Sequence, residues 1–118
     1  MPSAQAHRQQ AEHNRKFIDF LDVERTEYLD WVVTAIFYTA LHWVSGLLVS
    51  KGLQPCTHAE REDILAKLSE TRPIYKDYYE LKFYSIDSRY NCVSFDRRFV
   101  KETLLSKLAR IERLFQKS

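Results

Sequence analysis

Residues 30–48 of the chain read DWVVTAIFYTALHWVSGLL, and this stretch decides the fold class. A helix built from it is apolar on nearly every side, which is typical of a helix buried among others. We predict that this helix begins after Thr26, a candidate N-cap, and that Gly52 ends it. A membrane span needs about 20 predominantly apolar residues. Here the run is interrupted by Thr34, Tyr38, His42, Ser45 and Gly46. The sequence therefore favours the central helix of a soluble bundle.

The composition indicates one all-α domain over residues 1–118. The 118 residues include only 2 Gly and 3 Pro, whereas β-rich folds of this size need many turns built from such residues. Apolar residues make up 45%, enough for a core, and the net charge is +2. That charge argues against disorder without requiring a nucleic-acid partner. We predict an antiparallel bundle of about five helices.

The other four helices are predicted from caps, prolines and apolar spacing, with bounds of roughly 3–22, 57–68, 71–90 and 95–116. Thr57 and Glu60 form a capping-box pattern, the clearest helix start in the chain. The last helix carries apolar residues at helical spacing, namely Val100, Leu104, Leu108, Ile111 and Phe115. Short connections between these helices predict antiparallel neighbours.

Neither cysteine indicates a disulfide or a metal site. Cys56 and Cys92 fit no disulfide framework, and Cys56 with His58 does not have the spacing of zinc ligands. Residues 1–17 lack the apolar run of a secretory signal. The sequence thus predicts a cytoplasmic protein with no cofactor, no metal and no membrane partner.

Four polar residues recur at every fourth position of the central helix: Asp30, Thr34, Tyr38 and His42. Successive members rotate by about 40° around the helix axis, so they form a ridge on one side. An unpaired buried polar group costs on the order of 1–3 kcal/mol, so the ridge must face a polar partner, a cleft or solvent. Two interpretations stay open. Tyr38 and His42 are hydrogen-bonded core residues, or the ridge lines a ligand site.

Three runs of the sequence together resemble the HEPN superfamily of helical-bundle proteins. They are residues 30–48 with their FYTALH segment, THAERE over 57–62, and YKDYYELKFYSIDSRYN over 75–91. The resemblance implies an antiparallel bundle that is commonly a homodimer. It also implies a function on RNA, because many members are metal-independent endoribonucleases of toxin–antitoxin or defence systems, or their inactive relatives.

The nuclease signature of that superfamily is an arginine followed by a histidine four to six residues later. The histidine can move a proton while the arginine stabilises charge on the phosphate. Arg8 and His13 are a literal match, but they lie on the first helix, whereas the family places the pair near a late helix. Arg89 has the late position and is followed by Tyr90 and Asn91. The motif is therefore missing from its usual place.

Two functional hypotheses follow. The first is a HEPN-like non-catalytic module that binds RNA, a nucleotide or a protein partner, and its assigned residues are Tyr38, His42, His58, Arg61 and Arg89, with Asp30 on the same ridge. The second is a metal-independent endoribonuclease. In it His42 or His58 is the general acid or base, and Arg61 or Arg89 holds the phosphate. The missing motif favours the first.

Each of these features also has a structural alternative. Glu60, Glu62 or Asp63 could neutralise Arg61 in a surface salt bridge, and His58 could simply be solvated. A basic arc on the last helix could follow a phosphate backbone or form a solvated face; it comprises Lys107, Arg110, Arg113 and Lys117, preceded by Arg97 and Arg98. Several tyrosines could stack on bases or pack in the core, namely Tyr75, Tyr78, Tyr79, Tyr84 and Tyr90.

Overall fold

The computed structural model describes residues 2–116, which are mainly helical and contain no β-strand. The helices are α1, Ala4–Leu21; α2, Leu29–Ser50; α3, His58–Lys67; α4, Arg72–Tyr90; and α5, which runs from Arg97–Phe99 through a π-helical segment, Val100–Leu104, into Leu105–Gln116. The prediction of an all-α bundle is confirmed. The narrower HEPN-like assignment stays a prediction.

Helix α2 is the centre of the bundle and packs against α1, α4 and α5. Within residues 2–116 it is the one helix long and apolar enough to cross a membrane, yet 61% of that span is buried inside the bundle. Such burial is that of a core helix in a soluble protein. Cytoplasmic location stays a prediction.

Side-chain caps fix three of the helix starts, and that of α5 is Asp96, whose Oδ2 accepts from the Phe99 amide at 3.1 Å. Ser3 Oγ accepts a hydrogen bond from the Ala6 amide at 3.0 Å and begins α1. Thr57 Oγ1 accepts from the Glu60 amide at 3.1 Å and begins α3, as the capping-box pattern predicts. The Glu60 carboxylate reaches back past Thr57 and accepts from the Cys56 amide at 2.8 Å.

The predicted N-cap of α2 at Thr26 is wrong, because the helix begins at Leu29 and Tyr28 is its N-cap. Thr26 Oγ1 instead accepts from the Tyr28 amide at 3.0 Å, within the turn that joins α1 to α2. Arg97 supplies the physical reason. Its guanidinium donates to the Val23 carbonyl at 2.6 Å and to the Thr26 carbonyl at 2.9 Å. The Thr26 carbonyl thus accepts from Arg97, while the first amides of the helix, those of Trp31 and Val32, donate to the Tyr28 carbonyl, so the helix starts later.

The uniform α-helix predicted for the last segment is interrupted near its start. Between Val100 and Leu104 the backbone is π-helical, and the Leu105 amide donates to the Val100 carbonyl five residues back. The predicted apolar stripe is confirmed, since all its members are buried: Val100, Leu104, Leu108, Ile111 and Phe115.

Helix α1 approaches α2 closely at Gly46. A Cβ at this position would lie 3.3 Å from the Ala4 carbonyl oxygen and 3.3 Å from the His7 Cβ. Only a residue without a side chain allows the two backbones to come this near without displacement. The close approach places His7 of α1 against His42 of α2.

Candidate functional site

The polar ridge of α2 lines a groove between α1 and α2 with a volume of about 350 Å³. The residues lining it are Trp31, Thr34, Ala35, Tyr38 and His42 of α2, and Gln10, Asn14 and Phe17 of α1. The ridge thus borders a cleft, and its polar groups also have partners in the protein, as the structural interpretation predicts: Thr34 bonds Ser88 at 2.7 Å, Tyr38 bonds Arg89 and His42 bonds His7. Asp30 does not line the groove; its backbone carbonyl accepts from Thr34 Oγ1 at 3.0 Å.

At one end of this groove, His42 meets His7. The two Nδ1 atoms are 3.0 Å apart, and the ring centroids are separated by 5.3 Å. At this distance one Nδ1 carries a proton and donates it to the other, so the rings share one hydrogen bond. His7 was not among the residues that the sequence suggested.

Arg61 of α3 is close enough to these two histidines for its charge to lower the pKa of both, and it has no ion pair in the part of the chain that the structure describes. Its Nη1 is 3.3 Å from His58 Nδ1, one turn earlier on α3. The three acids that could have neutralised it bind elsewhere: Glu60 to the Cys56 amide, Glu62 to Lys82 at 2.6 Å, and Asp63 to Lys67 at 3.0 Å. The salt-bridge alternative for Arg61 is therefore wrong. We call His7, His42, His58 and Arg61 the histidine–arginine cluster.

Arg61 Nε and the hydroxyl of Tyr78 are both buried at this cluster. Burial raises the pKa of Tyr78 to about 12, so the phenol remains protonated and can donate a hydrogen bond. The two side chains interact, since Arg61 opposes this shift and acts to lower the pKa of Tyr78.

All three imidazoles of the cluster have a pKa below the usual value of 6.5. Burial is the largest cause for each, because it disfavours the charged ring. The Arg61 charge lowers each pKa further, and for His42 the His7 ring lowers it more than Arg61 does. For His58, Lys82 and Arg89 act in the same direction and Glu62 opposes them. At neutral pH the imidazoles are uncharged, and the charge of the cluster is that of Arg61.

Arg89 connects the ridge to α4. Its Nη1 donates to the Tyr38 hydroxyl at 2.9 Å, and its Nε donates to the Ser85 carbonyl at 3.2 Å. The guanidinium carbon lies 5.5 Å from the centroid of the Tyr38 ring and 5.1 Å from that of Tyr90. Arg89 is thus fixed in cation–π contact with two rings, and its charge reaches His58.

The literal motif match at Arg8 and His13 does not form a site. Five positions on an α-helix correspond to a rotation of about 140°, so the two side chains diverge. Arg8 lines a cavity with Trp43 and Phe115, whereas His13 lines a different groove.

Two members of the basic arc on α5, Lys107 and Arg110, have a structural role. Arg110 donates to both carboxylate oxygens of Asp77 at 2.8 and 2.9 Å, and Lys107 lies 3.5 Å from the same carboxylate. Arg97 holds the turn between α1 and α2. Lys117 lies outside the described residues.

The arrangement can bind an oxyanion and can accept protons. Arg61 supplies the charge, and the uncharged imidazoles supply N–H donors and free ring nitrogens. In residues 2–116, no group of three or more His, Cys, Asp or Glu side chains is placed to hold a metal ion. Cys56 and Cys92 are both free and exposed.

Comparisons of the chain with protein-family models, with curated proteins and with solved structures found no match.

The structure brings most of the predicted site residues together. His42, His58 and Arg61 meet in the cluster, and Tyr38 pairs with Arg89 beside it. Sequence reasoning missed His7, which has no motif around it and joins the site through the close packing of α1 at Gly46. It also missed the groove residues Gln10, Asn14, Phe17 and Trp31.

Proposed function

We propose that this chain is a HEPN-like, non-catalytic module that binds RNA through the histidine–arginine cluster. The observation that carries the proposal is Arg61, a half-buried cation beside three uncharged imidazoles with no carboxylate partner in the described residues. Such a cation gains from an anionic ligand, because charges attract more strongly outside bulk water. Phosphate oxygens are strong acceptors for guanidinium and imidazole N–H groups.

Aromatic side chains next to the cluster favour RNA over a free nucleotide or a protein partner. Tyr38 and Tyr90 flank the Arg89 guanidinium, and Trp31 and Phe17 line the adjoining groove. Positive charge combined with exposed rings is how proteins hold single-stranded nucleic acid, since each base can stack on a ring while the backbone meets cations.

The test is binding of a short fluorescein-labelled single-stranded RNA, followed by anisotropy at several salt concentrations. Arg61→Ala is expected to weaken binding about tenfold and to lower the salt dependence by about one phosphate contact. Arg98→Ala is the matched control, because it removes the same charge from an exposed position on α5. It should bind like the wild type. Equal binding by Arg61→Ala, or no binding by the wild type, would refute the proposal.

A second candidate is a metal-independent endoribonuclease of toxin–antitoxin or defence type, and the contact between His7 and His42 favours it. One uncharged imidazole could take the proton of a 2′-hydroxyl as its oxygen attacks the neighbouring phosphorus. The imidazole that gains this proton could then give it to the departing 5′-oxygen, directly or through the imidazole hydrogen-bonded to it, with Arg61 offsetting the phosphate charge. Incubating the same RNA with protein in EDTA distinguishes the two functions. If the wild type cleaves the RNA and His42→Ala or His58→Ala abolishes the cleavage, the protein is an endoribonuclease and the proposal of a non-catalytic module is refuted.

We also propose that the module is a homodimer that pairs through α4. One face of this helix carries three exposed apolar side chains at spacings of four and three residues: Tyr79, Phe83 and Ile86. This is the spacing by which one helix packs along another. A second copy of the chain offers the same face.

A further inference from the structure

The groove between α1 and α2 is lined by side chains that binding of a phosphate alone would not require. His42 belongs both to this groove and to the histidine–arginine cluster, so the two sites are continuous. The remaining lining includes aromatic rings and side-chain amides, which do not favour a phosphate group over any other polar ligand. A volume of about 350 Å³ is near the small end of ligand sites and suits one base with its ribose.

Two aromatic rings of this groove are accessible to a ligand. Trp31 is 56% exposed and Phe17 is 43% exposed, although both ring types gain free energy when they are covered. Tyr38, held by Arg89, adds a third ring to the lining. Stacking on such rings contributes about 1–3 kcal/mol per base in proteins that hold single strands.

The α1 side of the groove supplies hydrogen-bonding groups for the edge of a base. Gln10 Nε2 donates to Asn14 Oδ1 at 2.9 Å. This bond leaves the Gln10 carbonyl oxygen as an acceptor and the Asn14 amino group as a donor. Side-chain amides are the groups that pair with base edges in protein–nucleic acid complexes, because they offer a donor and an acceptor side by side.

We infer that this groove is the subsite for one unpaired, unstacked base of a single-stranded RNA, with an adjoining phosphate of the same strand at the histidine–arginine cluster. The inference rests on the proposed RNA-binding function. A base inside a duplex has both faces covered and could not enter the groove, so the strand must be single at this position.

The test compares a short oligoadenylate with a ribose–phosphate oligomer of the same length that carries no bases. Wild-type protein is expected to bind the oligoadenylate about tenfold more tightly. Trp31→Ala should bind both oligomers equally. Phe20→Ala, which removes an 82% exposed ring outside this groove, should keep the tenfold preference. Circular dichroism establishes that each variant is folded.

Arg61→Ala separates the two proposals, because it should weaken binding of both oligomers while keeping the preference for bases. Tryptophan fluorescence gives a second readout. Oligoadenylate should quench wild-type emission but not that of Trp31→Phe, whose remaining Trp43 is buried. Equal wild-type binding of the two oligomers, or an unchanged preference in Trp31→Ala, would overturn the base subsite and leave phosphate binding intact. Failure of the wild type to bind either oligomer would overturn the proposed function itself.

Discussion

At the scale of single residues, the role of Arg61 depends on partners that are distant in sequence. Glu60 and Glu62 are its neighbours along the chain, and either could have neutralised it. In the folded protein Glu62 instead forms an ion pair with Lys82 of α4 at 2.6 Å. Glu60 accepts a hydrogen bond from a backbone amide at the start of α3. Arg61 is left facing imidazoles from α1 and α2 as well as from its own helix.

The cluster histidines predict that the protein loses stability in mild acid. Their folded pKa values lie below 6.5, so the unfolded chain takes up these protons at a higher pH than the folded chain does. The stability that the uncharged histidines contribute is fully present above about pH 6.5. It declines as the pH falls towards their lowered pKa values in the folded protein. Urea unfolding at about pH 7.5 and about pH 5.5 measures this, because carboxylates titrate mainly below that window.

The free energy of unfolding should be smaller at the lower pH. His42→Gln should make the decline shallower, since it removes an imidazole whose pKa is lowered first by burial and then by His7 and Arg61. A wild-type protein equally stable at the two pH values would contradict the inferred environment of the cluster.

At the scale of elements, the features that could be predicted from the sequence are those that depend on residues close to one another in the chain. The apolar stripe of α5 and the start of α3 depend on side chains within a few residues of one another, and both were predictable. The start of α2 was not, because Arg97, 71 residues along the chain, holds the Thr26 carbonyl. The site was predicted only in part, because some of its residues are close in sequence and others are brought together by packing. His42 and Tyr38 lie on one periodic ridge, whereas His7 reaches them only through the packing of α1.

Gly46 controls that packing, so enlarging it should disturb both stability and the site. In Gly46→Val the new side chain would meet the Ala4 carbonyl and His7, 3.3 Å from the added Cβ. We expect a loss of about 1–3 kcal/mol in the free energy of unfolding, measured in urea. RNA binding should weaken as well, because α1 must shift and carry His7 away from His42.

Gly46→Ala is the matched comparison. Its methyl group makes the same close contact, but alanine in a helix gains about 1 kcal/mol over glycine, which offsets much of the cost. A Gly46→Val variant as stable as the wild type would mean that α1 is not tightly seated on α2.

At the scale of the whole molecule, the exposed face of α4 predicts a concentration-dependent dimer. Phe83→Glu should shift the protein towards the monomer in analytical ultracentrifugation, because a buried unpaired carboxylate at a helix pair is costly. Phe20→Glu is the control, since Phe20 is exposed on α1, away from this face. A monomeric wild type, or a dimer that Phe83→Glu leaves intact, would exclude α4 as the interface.

The contact that Arg97 makes also orders the events of folding. Helices α1 and α2 are sequence neighbours and can pair early, since closing a short loop loses little chain entropy. Their connecting turn, however, takes its final form from a guanidinium that arrives with α5, 71 to 74 residues later. The first hairpin of the bundle therefore completes its turn only when the last helix docks. In a chain growing from a ribosome, that step waits until α5 has been synthesised.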